Sequence, residues 1–196
     1  MPQHTDTSEQ QLIVLAQEGS ESAFNELVDR YTSVVYRIAF SMTGTTPEAE
    51  DIVQETFIKV FRHLDRYSPE KASFKTWVLT IARNQSINAY KSLKRNAARI
   101  LNSKAGVENE GISEEERYGT NDVTAESLLQ RQQEMSRINK ALIKLPKRQR
   151  MALTLKAVEN LSYTEIATIM DASASSVESL IFRARKRLTE LLDADN

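Results

Sequence analysis

Apolar residues in this chain recur with a helical period of three and four and not with the alternating period of a strand. Phe24, Leu27, Val28, Tyr31, Val34, Val35 and Ile38 trace an i, i+3, i+4, i+7 pattern, which a helix gathers on one face and a strand would scatter over two. A second stripe follows in Val53, Phe57, Val60, Phe61 and Leu64, and a third in Trp77, Val78, Ile81, Ala82, Ile87 and Tyr90. Only five glycines and four prolines interrupt 196 residues. No segment alternates as a half-buried strand must, so the expected fold class is all-α.

The interruptions are specific. Gly44 is a natural helix stop, and Thr46-Pro47-Glu48 restarts a helix with Thr46 as N-cap and Pro47 at the first helical position. A loop is expected around Ser68-Pro69, and a new helix from Ser73. Between Asn96 and Asp122 the periodicity lapses into a polar stretch containing Glu108, Glu110 and Glu114-Glu115-Glu116, the composition of a flexible acidic linker. Leu128, Leu129, Met135, Ile138, Leu142 and Ile143 resume the helical period, and Pro146 breaks it. Ser162-Tyr163-Thr164-Glu165 reads as a capping box, and Ser175-Ser176-Val177-Glu178 as a second one. With the turn Met170–Ser173 between them, these two helices have the layout of a helix-turn-helix. The expected organisation is two small helical domains, residues 10–95 and 125–192, joined by a linker over residues 96–124.

Composition narrows the chemistry. There is no cysteine, which removes disulfides, thiol nucleophiles and Cys-based metal sites, and His4 and His63 are the only imidazoles. No nucleophile–base pair or phosphate loop is present, so neither enzyme activity, nor a cofactor, nor a metal is expected. The longest early apolar run, Leu12–Ala16, falls far short of the ~20 residues of a membrane span, and a cytoplasmic protein without direct membrane insertion is expected. Charge totals 26 Lys+Arg against 27 Asp+Glu, yet it is arranged in blocks. Lys91, Lys94, Arg95, Arg99 and Lys104 form one acid-free basic run, Lys144, Lys147, Arg148, Arg150 and Lys156 another, and Arg183, Arg185, Lys186 and Arg187 a third. Local rather than net charge governs phosphate affinity, so these blocks point to nucleic acid. Glu48, Asp51 and Glu55 line one helix face with Gln54 beside it, a docking face for a basic protein partner.

The motifs carry a family resemblance. Ala49–Phe61 (AEDIVQETFIKVF) resembles region 2.2, the polymerase-binding helix of extracytoplasmic-function (ECF) sigma factors of the sigma-70 family. Phe74–Asn84 (FKTWVLTIARN) is similar to regions 2.3 and 2.4, while Leu145-Pro146, Leu161–Ala167 (LSYTEIA) and Phe182–Arg185 (FRAR) resemble regions 4.1 and 4.2. The resemblance runs from about Leu12 to Leu192. It implies a non-catalytic subunit of bacterial RNA polymerase: a region 2 domain that docks on the clamp helices of the largest subunit and melts the minus-ten element, and a region 4 domain that meets the flap and reads the minus-thirty-five element. It also implies a possible anti-sigma factor as partner.

By position, Asp51, Gln54, Glu55 and Lys59 are the expected polymerase contacts. The minus-ten candidates are Arg66, Tyr67, Lys71, Phe74, Lys75, Arg83, Asn84, Asn88, Lys91, Lys94 and Arg95. A captured base needs stacking rings, amides and cations, so Tyr67 in its polar loop is the leading stacking candidate, Phe74 divides evenly between core and site, and Trp77 belongs to the core. Minus-thirty-five readout is expected from Ser175, Ser176, Ser179 and Arg183, with Lys186 and Arg187 on phosphates. Many relatives have Gly-Thr-Val-x-Ser-Arg where this chain has Ser175-Ser176-Val177-Glu178-Ser179-Leu180. Glu178 therefore brings a carboxylate to a helix that should approach phosphate, and Leu180 is either core or a thymine-methyl contact. The alternatives are a stand-alone helix-turn-helix regulator, which would bind a duplex tightly without polymerase, and a metal enzyme built on the acids near Glu50.

Overall fold

The computed structural model describes residues 8–103 and 125–194. Eight α-helices are present among them, with no strand: α1 (Glu9–Gln17), α2 (Glu21–Thr43), α3 (Thr46–His63), α4 (Phe74–Ser103), α5 (Ala125–Ile143), α6 (Lys147–Glu159), α7 (Tyr163–Met170) and α8 (Ala174–Ala194). A single 3-10 turn, Leu64–Arg66, follows α3. The linker expected over residues 96–124 falls largely outside the described residues, and α4 continues as helix to Ser103, past its expected end at Arg95.

Local chemistry sets most boundaries. Ser8 caps α1 reciprocally with Gln11, and the Ser20 hydroxyl accepts from the Ala23 N–H at the start of α2. Gly44 ends α2 with φ +82°, its N–H donating to the Phe40 carbonyl. The backbone requires glycine here; a Cβ would also press on the Ile143 Cδ1 of α5 at 2.8 Å, a flexible side-chain end that would have to shift. The start of α3 differs by one residue from expectation: Thr45 is the N-cap and makes no side-chain cap bond. Thr46 lies inside the helix, with its hydroxyl 3.3 Å from the Tyr36 hydroxyl of α2.

Helices α1–α4 form one bundle around Leu27, Val35, Ile38, Val60, Phe74, Val78 and Leu79. Helices α5–α8 form a second, in which Leu155, Ile166, Ile169, Val177 and Ile181 are fully buried. Each such side chain contributes roughly 1.5–3 kcal/mol of transfer free energy. The bundles are pressed together, and one contiguous apolar cluster runs through both. α2 packs on α5 and α6, and α4 packs on α7. Two guanidiniums bond across the junction to main-chain carbonyls. Arg150 Nη1 of α6 donates to Ser41 O of α2 at 2.7 Å, and Arg83 Nη2 of α4 donates to Met170 O of α7 at 3.3 Å. Arg150 is almost fully buried, and its Nη2 also donates to Ile143 O at 2.9 Å and Leu145 O at 3.3 Å. It thus closes the α5–α6 turn while reaching into the other bundle, and burial lowers its pKa.

Candidate functional site

Three surfaces carry the candidate residues. On α3 the buried positions are Ala49, Ile52, Thr56, Phe57 and Val60, which leaves Asp51, Gln54 and Glu55 exposed together on the outer face. Lys59 does not join them. Its ammonium donates to Gln85 Oε1 of α4 at 2.7 Å, and Gln85 Nε2 reaches Glu55 Oε2 at 3.5 Å, so Lys59 braces α3 against α4. Lys59, expected among the polymerase contacts, is thus engaged within the bundle. Beside the acids stand Ile58 and Phe61, 43% and 62% exposed, with Phe61 edge-on to Phe24 at 5.1 Å between ring centroids. Phe61 had been placed on the core stripe. The set Ala49-Ile52-Thr56-Val60, at intervals of three and four, is the alternative register that would have turned it outward.

The second surface is the segment from the 3-10 turn into α4. Arg66 and Lys71 are exposed, but Tyr67 is buried: its ring lies 5.2 Å from both Phe74 and Trp77, and its hydroxyl donates to Ala72 O at 3.1 Å. Phe74 is 2% exposed and packs edge-on against Tyr31 at 5.5 Å. Phe74 thus falls on the core side of its two readings, and Tyr67, the leading stacking candidate, is packed among these rings instead of standing open in its loop; Trp77 is the more open of the three. Burial raises the Tyr31 pKa, and the hydrogen bond that its hydroxyl donates to the Glu9 carboxylate raises it further. Ser73 caps α4, accepting from the Thr76 N–H at 3.2 Å. Further along, Asn84, Asn88, Lys91 and Arg95 are exposed and Lys75 and Arg83 half-buried, while Arg83 Nη1 also donates to Asn84 Oδ1 at 2.8 Å. The Lys94 side chain lies outside the described ones.

Much of this α4 face borders the other bundle. A cleft of about 980 Å³ is lined by Arg83, Ile87, Asn88, Lys91 and Arg95 from α4, Met42 from α2, Lys147, Arg148 and Met151 from α6, and Met170 at the end of α7 with Asp171 just after it. The Lys147 ammonium stands over the Tyr90 ring, a cation–π contact. Burial, and secondarily the neighbouring Arg150 charge, lowers the Lys147 pKa.

The third surface is the start of α8. Asp171 makes the turn in the left-handed region, φ 50°, a conformation that Asp tolerates better than most residues. The N-cap of α8 is Ser173, whose hydroxyl accepts from the Ser176 N–H at 3.2 Å. The expected capping box between Ser175 and Glu178 is therefore corrected: Ser175 already lies in the helix, and Glu178 stands exposed in its second turn. Ser175, Ser179, Arg183 and Lys186 are exposed, and Ser176 is half-buried. Arg183 Nε donates to Ser179 O at 3.1 Å, and Arg187 pairs with Glu190 at 3.3 Å. An exposed pair of that kind is worth at most about 1 kcal/mol and releases easily. Leu180 is buried and belongs to the core. Sequence reasoning missed Phe182, 70% exposed, and Tyr163, 38% exposed. They line a concavity of about 700 Å³ with Glu178, Ser179, Ile181, Arg183 and Arg185. The FRAR motif sits inside the basic run, and that position was the available signal.

Among the described residues no group of three or more His, Asp or Glu stands close enough to hold a metal ion, and no helix is long and apolar enough to cross a membrane. The family model described as sigma-70 region 2 matches residues 27–96, and that of sigma-70 region 4 matches residues 135–188. The chain is 31% identical over 188 residues to the RNA polymerase sigma-H factor of Pseudomonas aeruginosa, covering 96% of this chain and 95% of that protein. It is 30% identical to the ECF RNA polymerase sigma factor SigW of Bacillus subtilis over 89% of this chain and 91% of that protein. Identity to the ECF RNA polymerase sigma-E factor of Salmonella typhimurium is 33%, with 92% of each covered. Among solved structures, CnrH in complex with the cytosolic domain of CnrY superposes with a TM-score of 0.69 at 27% identity, over 96% of this chain and 99% of that one. The sigma factor RpoE in complex with the anti-sigma factor NepR, from Bartonella quintana, gives 0.65 at 28%, over 88% and 98%. Matched end to end with the two region models in order, the chain belongs to the ECF group of sigma-70 family RNA polymerase sigma factors.

Proposed function

We propose that this chain carries core RNA polymerase to promoters through three separate surfaces and contributes no catalytic group. Asp51, Gln54 and Glu55, with Ile58 and Phe61 at their edge, form the docking face for basic residues of the clamp helices. Arg66, Lys71 and the exposed amides and cations of α4 engage the minus-ten strand, and the start of α8 reads the minus-thirty-five duplex, its half of the molecule resting on the flap. The observation that carries the reading is the exposure of an acidic, apolar-edged α3 face in the same chain as two cation-bearing helices, one in each matched region. The solved RpoE structure includes an anti-sigma factor, and a protein of that class is the proposed regulator here.

Elements whose positions differ by about 25 base pairs lie roughly 85 Å apart at 3.4 Å per pair. The α4 and α7 surfaces are in direct contact, so the bundles separate before both elements are read at once.

Reconstitution with core polymerase tests the proposal. The wild-type holoenzyme initiates at discrete sites on genomic fragments, whereas the combined substitution Asp51→Lys and Glu55→Lys lowers affinity for core by about tenfold or more. The melting temperature should hardly change, because both side chains are exposed. A nanomolar footprint of the protein alone on duplex DNA, with no effect on core polymerase, favours the stand-alone regulator instead.

A further inference from the structure

The turn and loop between α3 and α4 are not held by their own neighbours alone. Gln17, the last residue of α1, sends its side-chain amide across to them. Its Nε2 donates to Leu64 O at 2.8 Å and to Tyr67 O at 3.3 Å. Leu64 O also receives the Tyr67 N–H at 3.2 Å, so one amide group ties both carbonyls that bracket the 3-10 turn. The far side of the loop is closed by the Tyr67 hydroxyl on Ala72 O, one residue before the Ser73 cap. Between these ties Pro69, Glu70 and Lys71 are exposed, with one turn bond from Lys71 N to Ser68 O at 3.2 Å.

Helix α1 is itself firmly seated. Leu12, Ile13 and Ala16 are buried, its first turn carries a complete capping box, and the Tyr31 hydroxyl donates to Glu9. Gln17 is otherwise exposed, so it fills no core volume; what it offers is two N–H donors from a fixed base. We propose that Gln17 is a positioning residue for minus-ten recognition: from α1 it holds the loop 67–73 in the shape that receives the extruded single strand. This rests on the assignment of that loop to the minus-ten strand made above. A pre-shaped loop binds without the ordering cost that a loose one incurs at the moment of binding, and base capture tolerates only about half an ångström of misplacement.

The test uses full-length chain in complex with core RNA polymerase, and a pool of fork-junction duplexes with a randomised six-nucleotide single-stranded overhang. Selection on wild-type holoenzyme should enrich particular overhang bases. Gln17→Glu places an acceptor opposite two acceptors and should cut that preference about tenfold, the cost of roughly one wrong base, while core affinity and melting temperature stay near wild type. Gln17→Arg, which keeps two N–H donors, should restore the preference. Unchanged preference in Gln17→Glu overturns the proposal. So does a loss shared equally by core affinity and melting temperature, or a failure of Gln17→Arg to restore. If wild-type holoenzyme itself enriches no overhang base, the minus-ten assignment of the loop fails and the proposal fails with it, a result distinct from the others.

Discussion

The two bundles treat their exposed chemistry in opposite ways. In α1–α4 the polar and aromatic side chains are largely engaged in bracing: Gln17 and Tyr67 tie the loop, Lys59 and Gln85 join α3 to α4, and Arg83 bonds to the other bundle. In the second bundle Arg150 braces in the same way, but on α8 the corresponding groups face outward, with Phe182, Arg183, Arg185 and Lys186 exposed. Arg83, Lys91 and Arg95 of α4 border a cleft shared with the other bundle, whereas Arg183 and Arg185 of α8 line an outer concavity beside the exposed Phe182. A helix-turn-helix reads a duplex as a rigid body in the groove, so its side chains can stay free. A surface that captures a single strand has to be pre-shaped, and its bracing consumes part of the residue set that sequence reading assigns to contact.

The largest expected effect comes from forbidding the bundles to part. The chain has no cysteine, so thiols at Tyr90→Cys and Lys147→Cys are unique, and these residues already touch across the cleft. Joining them with a short bis-maleimide should lower promoter-dependent transcript from the holoenzyme by about a hundredfold, the scale of a full population shift. The double variant without linker should retain most of its transcript. A linked protein that initiates normally would show that the covered α4 face is not needed, and the contrast between the two surfaces would lose its functional meaning.

A smaller effect is expected on the open surface. Glu178 stands exposed near the start of α8 and is not its cap, so its carboxylate faces whatever α8 approaches. Glu178→Arg should tighten duplex binding by about tenfold and steepen the logarithmic salt dependence by about one, measured by titrating the full chain with core polymerase at several salt concentrations. An unchanged slope would place Glu178 away from the phosphates and leave α8 docked in another orientation.

What was legible in the sequence was mostly local. The box Ser162–Glu165 reads directly, because donor and acceptor lie three residues apart on one turn. The second box differs because Ser173 and Ser175 are equally good caps by residue type, and it is the Ser173 hydroxyl that accepts from the Ser176 N–H. Tyr67 looked free because its neighbours are polar, yet its hydroxyl finds a carbonyl five residues on and its ring meets two aromatics of α4. Arg83 and Arg150 bond to main-chain carbonyls far along the chain. A carbonyl leaves no mark in the residue pattern, so no spacing rule could pair them.

The smallest expected effect tests whether the local signal also carries energy across the junction. The Ser162 hydroxyl and backbone N–H hold the Glu165 carboxyl below its ordinary pKa, and the charges of Lys75, from α4, and Lys156 act in the same direction. The unfolded state therefore binds more protons than the native one between the depressed and ordinary values, and stability falls as pH drops through that window. The contribution is complete above the ordinary carboxylate value and lost below the depressed one. Ser162→Ala should cost about 1 kcal/mol at neutral pH, and in denaturant titrations the gap from wild type should narrow as the solution is acidified past that range. Lys75→Met removes the charge that the first bundle contributes to Glu165, and the part of its cost that acts through Glu165 should vanish over the same pH window and weaken with added salt. If the Lys75→Met difference persists at low pH, Lys75 acts by packing rather than by charge, and Glu165 titrates as a property of the second bundle alone.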